Sequence, residues 1–161
     1  MRTRKKSIPC NFVGRFKVGD NIVYNSEILC SLARKNKDCL FNKLMVIQIG
    51  AIIEASLTEI IFRAQKFNIE GVPNISKRDQ ALIAGKKVDK FNNVIDVMRK
   101  HSILDNLRLS IYDELHRIKD FRNKIHIQDS VKDEVDIFSD NLLEWSLKIN
   151  WEVLYFLSTE M

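Results

Sequence analysis

The chain has 161 residues, 45% hydrophobic and 29% charged, with two prolines and five glycines. That is the make-up of one soluble globular domain, and the scarcity of proline and glycine excludes a disordered or turn-rich β protein. The net charge of +5 is uneven: residues 1–128 hold 24 basic and 13 acidic side chains, a net of +11, whereas residues 129–161 hold 2 and 8, a net of −6. A basic body suits a polyanion, or it docks on the chain's own acidic C-terminal helix; charge alone does not separate the two.

Cys10, Cys30 and Cys39 are odd in number and lack CxxC spacing, so they read as reduced thiols of a cytoplasmic protein. His101, His116 and His126 form no HxxxH or HExxH pair. Neither a metal nor a cofactor is expected. The apolar run between Lys43 and Glu54 is about half the length of a membrane span, and no membrane partner is expected. The basic stretch MRTRKKSIPCNF is followed by no apolar stretch, so it is not read as a secretory signal.

In chain order, residues 1–10 read as a basic arm and 11–25, with weak alternation, as an irregular lead-in or a short hairpin. Residues 26–161 read as a helical domain. Asn25 or Ser26 suits the N-cap of a short helix over about 26–36. Asp38 suits the cap of the most hydrophobic helix, about 39–68. There Leu44, Ile47, Ala51, Ala55, Thr58 and Phe62 share one side, and isoleucines fill the others, so this helix should be touched from several directions. Glu54 interrupts it and calls for a basic partner. A loop containing Gly71 and Pro73 follows, then a helix at about 77–100, weakened at Gly85. The next helix spans about 104–127, with Asp105 near its cap. A polar connector, DSVKDEVDIF, leads to a last helix at about 139–160, capped by Ser139 or Asp140. Ile52, Phe62, Ile95, Leu115 and Trp145 are the expected core.

The helix at 104–127 carries the chemistry. At 100° per residue, Leu104, Leu107, Ile111, Leu115, Ile118 and Ile125 form an apolar stripe, and Arg122 falls inside it. A charge there either pairs with an acid on a neighbouring helix, Glu54 being the obvious one, or faces a cleft. His126 lies four residues on, on the same face, and Asn123 adjoins the same rim. Arginine is a permanent phosphate-binding cation, and histidine exchanges a proton near neutral pH.

The motif FRNKIHI at 121–127, and the apolar helix LMVIQIGAIIEASLTEIIFRAQ at 44–65 ahead of it, resemble the HEPN superfamily (higher eukaryotes and prokaryotes nucleotide-binding domains). The resemblance covers roughly residues 26–160. It implies an all-α, up-and-down bundle of about four to five helices that forms a homodimer with both motifs in one cleft. It also implies a metal-independent endoribonuclease, a toxin or effector of a toxin–antitoxin or phage-defence system. Arg122, Asn123 and His126 are then catalytic, RNA is the substrate, and an antitoxin or another defence protein is a partner. The family places four to six residues between Arg and His; here three stand between them. The alternative is a HEPN-like module that has lost catalysis and binds nucleic acid, nucleotide or a protein.

Overall fold

The computed structural model describes residues 16–66, 76–84, 88–124 and 130–160. The protein is all-α, and seven helices and no strand occur among the described residues. They are α1 (Gly19–Lys35), α2 (Asn42–Lys66), α3 (Lys77–Ala84), α4 (Phe91–Lys100), α5 (Ile111–Asn123), α6 (Val131–Ile137) and α7 (Asp140–Glu160). The basic arm and the loop of Gly71 and Pro73 lie outside the described residues, as do Gly85 and His126.

α1 begins earlier than the capping signals suggest, so residues 19–25 are helical and no part of an irregular lead-in. Asn25 and Ser26 are not caps. Their side chains donate to the carbonyl oxygens of Asn21 and Ile22 one turn back, at 2.6 and 2.8 Å, as such residues do inside helices. Phe16, Ile22 and Leu29 anchor this segment in the core.

A tight turn reverses the chain before α2. Asp38 and Cys39 both adopt left-handed backbone (φ 51° and 62°), so Asp38 cannot be an N-cap, which needs extended geometry. α2 starts at Asn42 instead. It is the hub, packed against α1, α3, α4, α5 and α7. Its length and hydropathy are those of a membrane-crossing helix, yet 61% of its most apolar window is buried inside the bundle. The buried side carries Met45, Val46, Ile49, Ile53, Leu57 and Ile60. The stripe from Leu44 through Ala51 and Ala55 to Thr58 faces outward; Leu44 and Thr58 are exposed.

The expected helix at 77–100 is two helices, α3 and α4, with residues 88–90 non-helical between them. The helix expected from 104 starts at Ile111. α4 ends in a Schellman motif: Ser102 takes the left-handed position (φ 52°), Ile103 N–H bonds Met98 C=O at 3.0 Å, and Ser102 N–H bonds Arg99 C=O at 3.2 Å. Turns then carry the chain to 110. Leu104 and Leu107 keep the helical spacing, but they join the core from turns. Asp105 caps nothing; it accepts the Tyr112 hydroxyl at 2.6 Å while Leu104 N–H donates to that oxygen at 3.0 Å. Burial, then the Asp105 contact, pushes the Tyr112 phenol above its ordinary pKa.

The polar connector contains α6, whose cap Ser130 accepts from Asp133 N–H at 3.1 Å. Ser139 caps α7, accepting from Leu142 N–H at 3.4 Å. Ile52, Ile95 and Leu115 are buried, while Phe62 and Trp145 are half-buried. Part of the acidic C-terminal stretch does dock on the basic body: Glu134 meets Lys43 at 2.9 Å, and Glu152 meets Arg108 at 2.6 Å.

Candidate functional site

Arg122 occupies the last turn of α5, continuing the line of Ile111, Leu115 and Ile118 that packs this helix onto the core. The line crosses α2 at Gly50. A Cβ built at Gly50 would lie 2.7 Å from Arg122 Cβ, 2.9 Å from its Cγ and 3.5 Å from Ile118 Cγ2. The two helices approach this closely only because position 50 has no side chain. The root of Arg122 is thereby set by backbone packing.

One turn along α2, the Glu54 carboxylate receives the guanidinium: Arg122 Nη2 donates to Glu54 Oε2. Nη1 donates weakly to Asn123 Oδ1 at 3.3 Å. Glu54 is thus the partner that the charge in the apolar stripe demanded. The pair is not sealed, since the side chains of Arg122 and Glu54 remain 34% and 21% exposed. Glu54 also lines an open groove of about 350 Å³ between α2 and the segment that leads into α1, with Lys17, Ala51, Thr58 and Phe62.

Asn123 is exposed beside Arg122. Lys124 is the C-cap and has left helical geometry, so its direction does not follow the helical wheel; its ammonium lies over the Phe121 ring at 5.4 Å. Phe121 packs edge-on against Phe138 (6.4 Å between centroids), and the Lys43 ammonium lies over Phe138 at 5.7 Å. Two cations therefore sit on a touching aromatic pair next to Arg122. His126, the expected proton-transfer residue, lies outside the described residues. The structure brings together Arg122, Asn123 and Glu54.

The other histidines are engaged elsewhere. His101 is buried, with Nδ1 2.8 Å from Asp79 Oδ1 and no partner at Nε2 among the described residues. The Ser76 hydroxyl, then His101, holds the Asp79 carboxyl below its ordinary range. His116 Nε2 lies 3.6 Å from Asp96. Among the described residues, no three His, Cys, Asp or Glu side chains gather as metal ligands would.

Two polar groups escaped the sequence reading. Glu59 is 5% exposed and accepts from Lys17 N–H at 2.9 Å and Arg63 Nε at 3.0 Å, tying the start of the described chain to α2. Asn42 is 1% exposed; its amide donates to Phe138 C=O and Asp140 Oδ1, both at 2.9 Å, and its oxygen accepts from Asn36 at 2.7 Å. An acid or an amide inside an apolar helix is the only local signal of such roles. Each has one near partner, Arg63 and Asn36, but the contacts that tie distant segments together lie 42 and 96 residues away. No protein family, curated protein or solved structure matches the chain.

Proposed function

We propose that this chain is a metal-independent endoribonuclease on a HEPN-like bundle, acting in the cytoplasm as a homodimer and as the toxin or effector of a defence or toxin–antitoxin system. The observation that carries the reading is Arg122: a guanidinium whose root is packed on the core helix while its head stays open to solvent. Such a cation is pre-positioned for an oxyanion, because little side-chain freedom is lost on binding. The order of elements is compatible with that plan: an apolar hub helix, two shorter helices, the motif helix, the short α6 and a closing helix.

The chemistry needs three functions. Arg122 holds the non-bridging oxygens as charge builds on phosphorus. His126, by its resemblance to the family motif, takes the proton of the 2′-hydroxyl in its neutral form. The second copy of His126 protonates the leaving oxygen, which a two-fold dimer supplies. Asn123 orients the phosphate from the same rim. The nucleophile belongs to the substrate, so DNA is spared.

Incubation of the purified protein with single-stranded or loop RNA in EDTA tests this. Cleavage should leave 2′,3′-cyclic phosphate ends and should fall by about 10²–10⁴-fold in His126→Ala. The engagement of Arg122 by Glu54, together with the three-residue Arg-to-His interval, favours a second reading, a non-catalytic module that binds nucleic acid, nucleotide or a protein. RNA binding without any cleavage would select it.

A further inference from the structure

We infer that Glu54 is a built-in occupant of the Arg122 oxyanion site, and that a phosphodiester binds there by displacing this carboxylate. The inference rests on the reading of Arg122 as a phosphate ligand. A carboxylate and a phosphate offer a guanidinium the same acceptor geometry, two oxygens to one planar fork. A phosphodiester and a carboxylate also carry the same single charge, so one replaces the other without a change in the charge at Arg122.

Three observations favour exchange over a fixed structural bridge. The side chain of Arg122 is held at its root, where Gly50 admits Cβ and Cγ against α2. Among the described residues, its head is held by Glu54 and the weak Asn123 contact. The head can therefore change partner while α5 stays in place. Next, the Glu54 carboxylate has no donor other than Arg122 among the described residues, and it lines an open groove. On release it meets water in that groove instead of apolar core. Exposed pairs of this kind are weak, and screening weakens them further.

The third observation is the contrast with Glu59 on the same helix. Glu59 is 5% exposed and holds both a backbone N–H and Arg63. That acid is locked. Glu54, with one partner and open flanks, has the surroundings of a displaceable ligand. Its consequence is selectivity for polyanions: a lone small anion competes poorly with a tethered carboxylate, whereas a strand with several phosphates is held at neighbouring cations while the exchange occurs.

The test uses the full chain, inorganic phosphate and a 2′-O-methyl oligoribonucleotide, which binds without being cut. Glu54→Gln keeps the shape of the side chain and removes its charge. Glu144→Gln makes the same charge change at an exposed position of α7 and sets the nonspecific increment. Glu54→Gln should bind the oligonucleotide roughly fivefold more tightly than wild type, the factor matching an exposed ion pair. It should clearly exceed Glu144→Gln, and the gain should vanish in Glu54→Gln/Arg122→Gln. Binding equal to or weaker than that of Glu144→Gln would overturn the inference.

Should Glu54→Gln fail to fold, wild type answers by NMR: the 2′-O-methyl oligoribonucleotide should shift the Arg122 guanidinium and Glu54 carboxyl resonances with one midpoint, far below the concentration at which inorganic phosphate does so. An Arg122 shift without a Glu54 shift overturns the displacement. Cleavage by wild type without a gain in Glu54→Gln overturns the displacement and leaves the ribonuclease reading standing. A gain in Glu54→Gln without cleavage by wild type supports the displacement and removes the ribonuclease reading.

Discussion

A methyl group at position 50 would sit 2.7 Å from Arg122 Cβ, well inside van der Waals contact. Gly50→Ala therefore pushes two helices apart or twists Arg122 from its rotamer, at a cost of about 1–3 kcal/mol. The better helix propensity of alanine returns up to about 1 kcal/mol. The net outcome is a loss of roughly 1–2 kcal/mol in urea unfolding, together with weaker RNA binding from a displaced Arg122. Arg122→Ala behaves differently. An ion pair this open contributes about 0–1 kcal/mol, so the urea midpoint should barely move while RNA cleavage and binding collapse. Arg122→Lys should restore binding only in part, because an ammonium is no substitute for the planar fork. The Glu54–Arg122 pair was legible in the sequence because each charge interrupts an apolar stripe. The small residues Gly50, Ala51 and Ala55 permit a close helix approach by their sequence, but which helix crosses there, and at which of them, depends on three-dimensional packing.

Among the elements, α2 and α7 were legible because long stretches with 3.6-residue spacing and no proline have few other folds open to them. The errors have identifiable causes. Leu104 and Leu107 extend the stripe of α5 in sequence, yet turns deliver them to the same core, and periodicity does not distinguish the two. Asn25 and Ser26 carry capping chemistry that α1 uses for back-bonding to carbonyl oxygens instead. The joint where α1, α2 and the α6–α7 corner meet was invisible, because it hangs on Asn42. Asn42→Ala would take away the acceptor of the Asn36 amide and the amide donor that Phe138 C=O and Asp140 share, leaving Asp140 with the Cys39 thiol. A drop of about 1–3 kcal/mol in thermal or urea stability should follow. Asn42→Asp should be worse, because it would set two carboxylates side by side at Asp140.

For the molecule as a whole, stability should fall on the acid side. Among the described residues, three carboxyls ionise below their ordinary range: Asp79 through Ser76 and then His101, Glu114 through Arg108, and Asp140 through Asn42 and then Cys39. A depressed folded value means that the unfolded chain holds the proton more tightly. The stabilisation is therefore present above the ordinary carboxylate pKa of about 4 and is lost as pH falls through the folded values. The urea midpoint should drop between about pH 5 and pH 3, and Glu114→Gln should flatten that slope. The proposed dimer belongs to this scale too. Light scattering at micromolar concentration should return twice the 18.8 kDa chain mass; a strictly monomeric mass would remove the second His126 from the proposed reaction.

The hub position of α2 also sets a timetable. Its partners include α1, made before it, and α7, made last of the seven. Between the end of α2 at Lys66 and the end of α7 at Glu160, about 95 residues must be synthesised. At ~5–20 residues per second the ribosome takes roughly 5–20 s over them. Throughout that interval a helix apolar enough to pass for a membrane span is only partly covered. The nascent chain then exposes that apolar surface, and slowing translation after residue 66 should lower its soluble yield more than slowing it before residue 42.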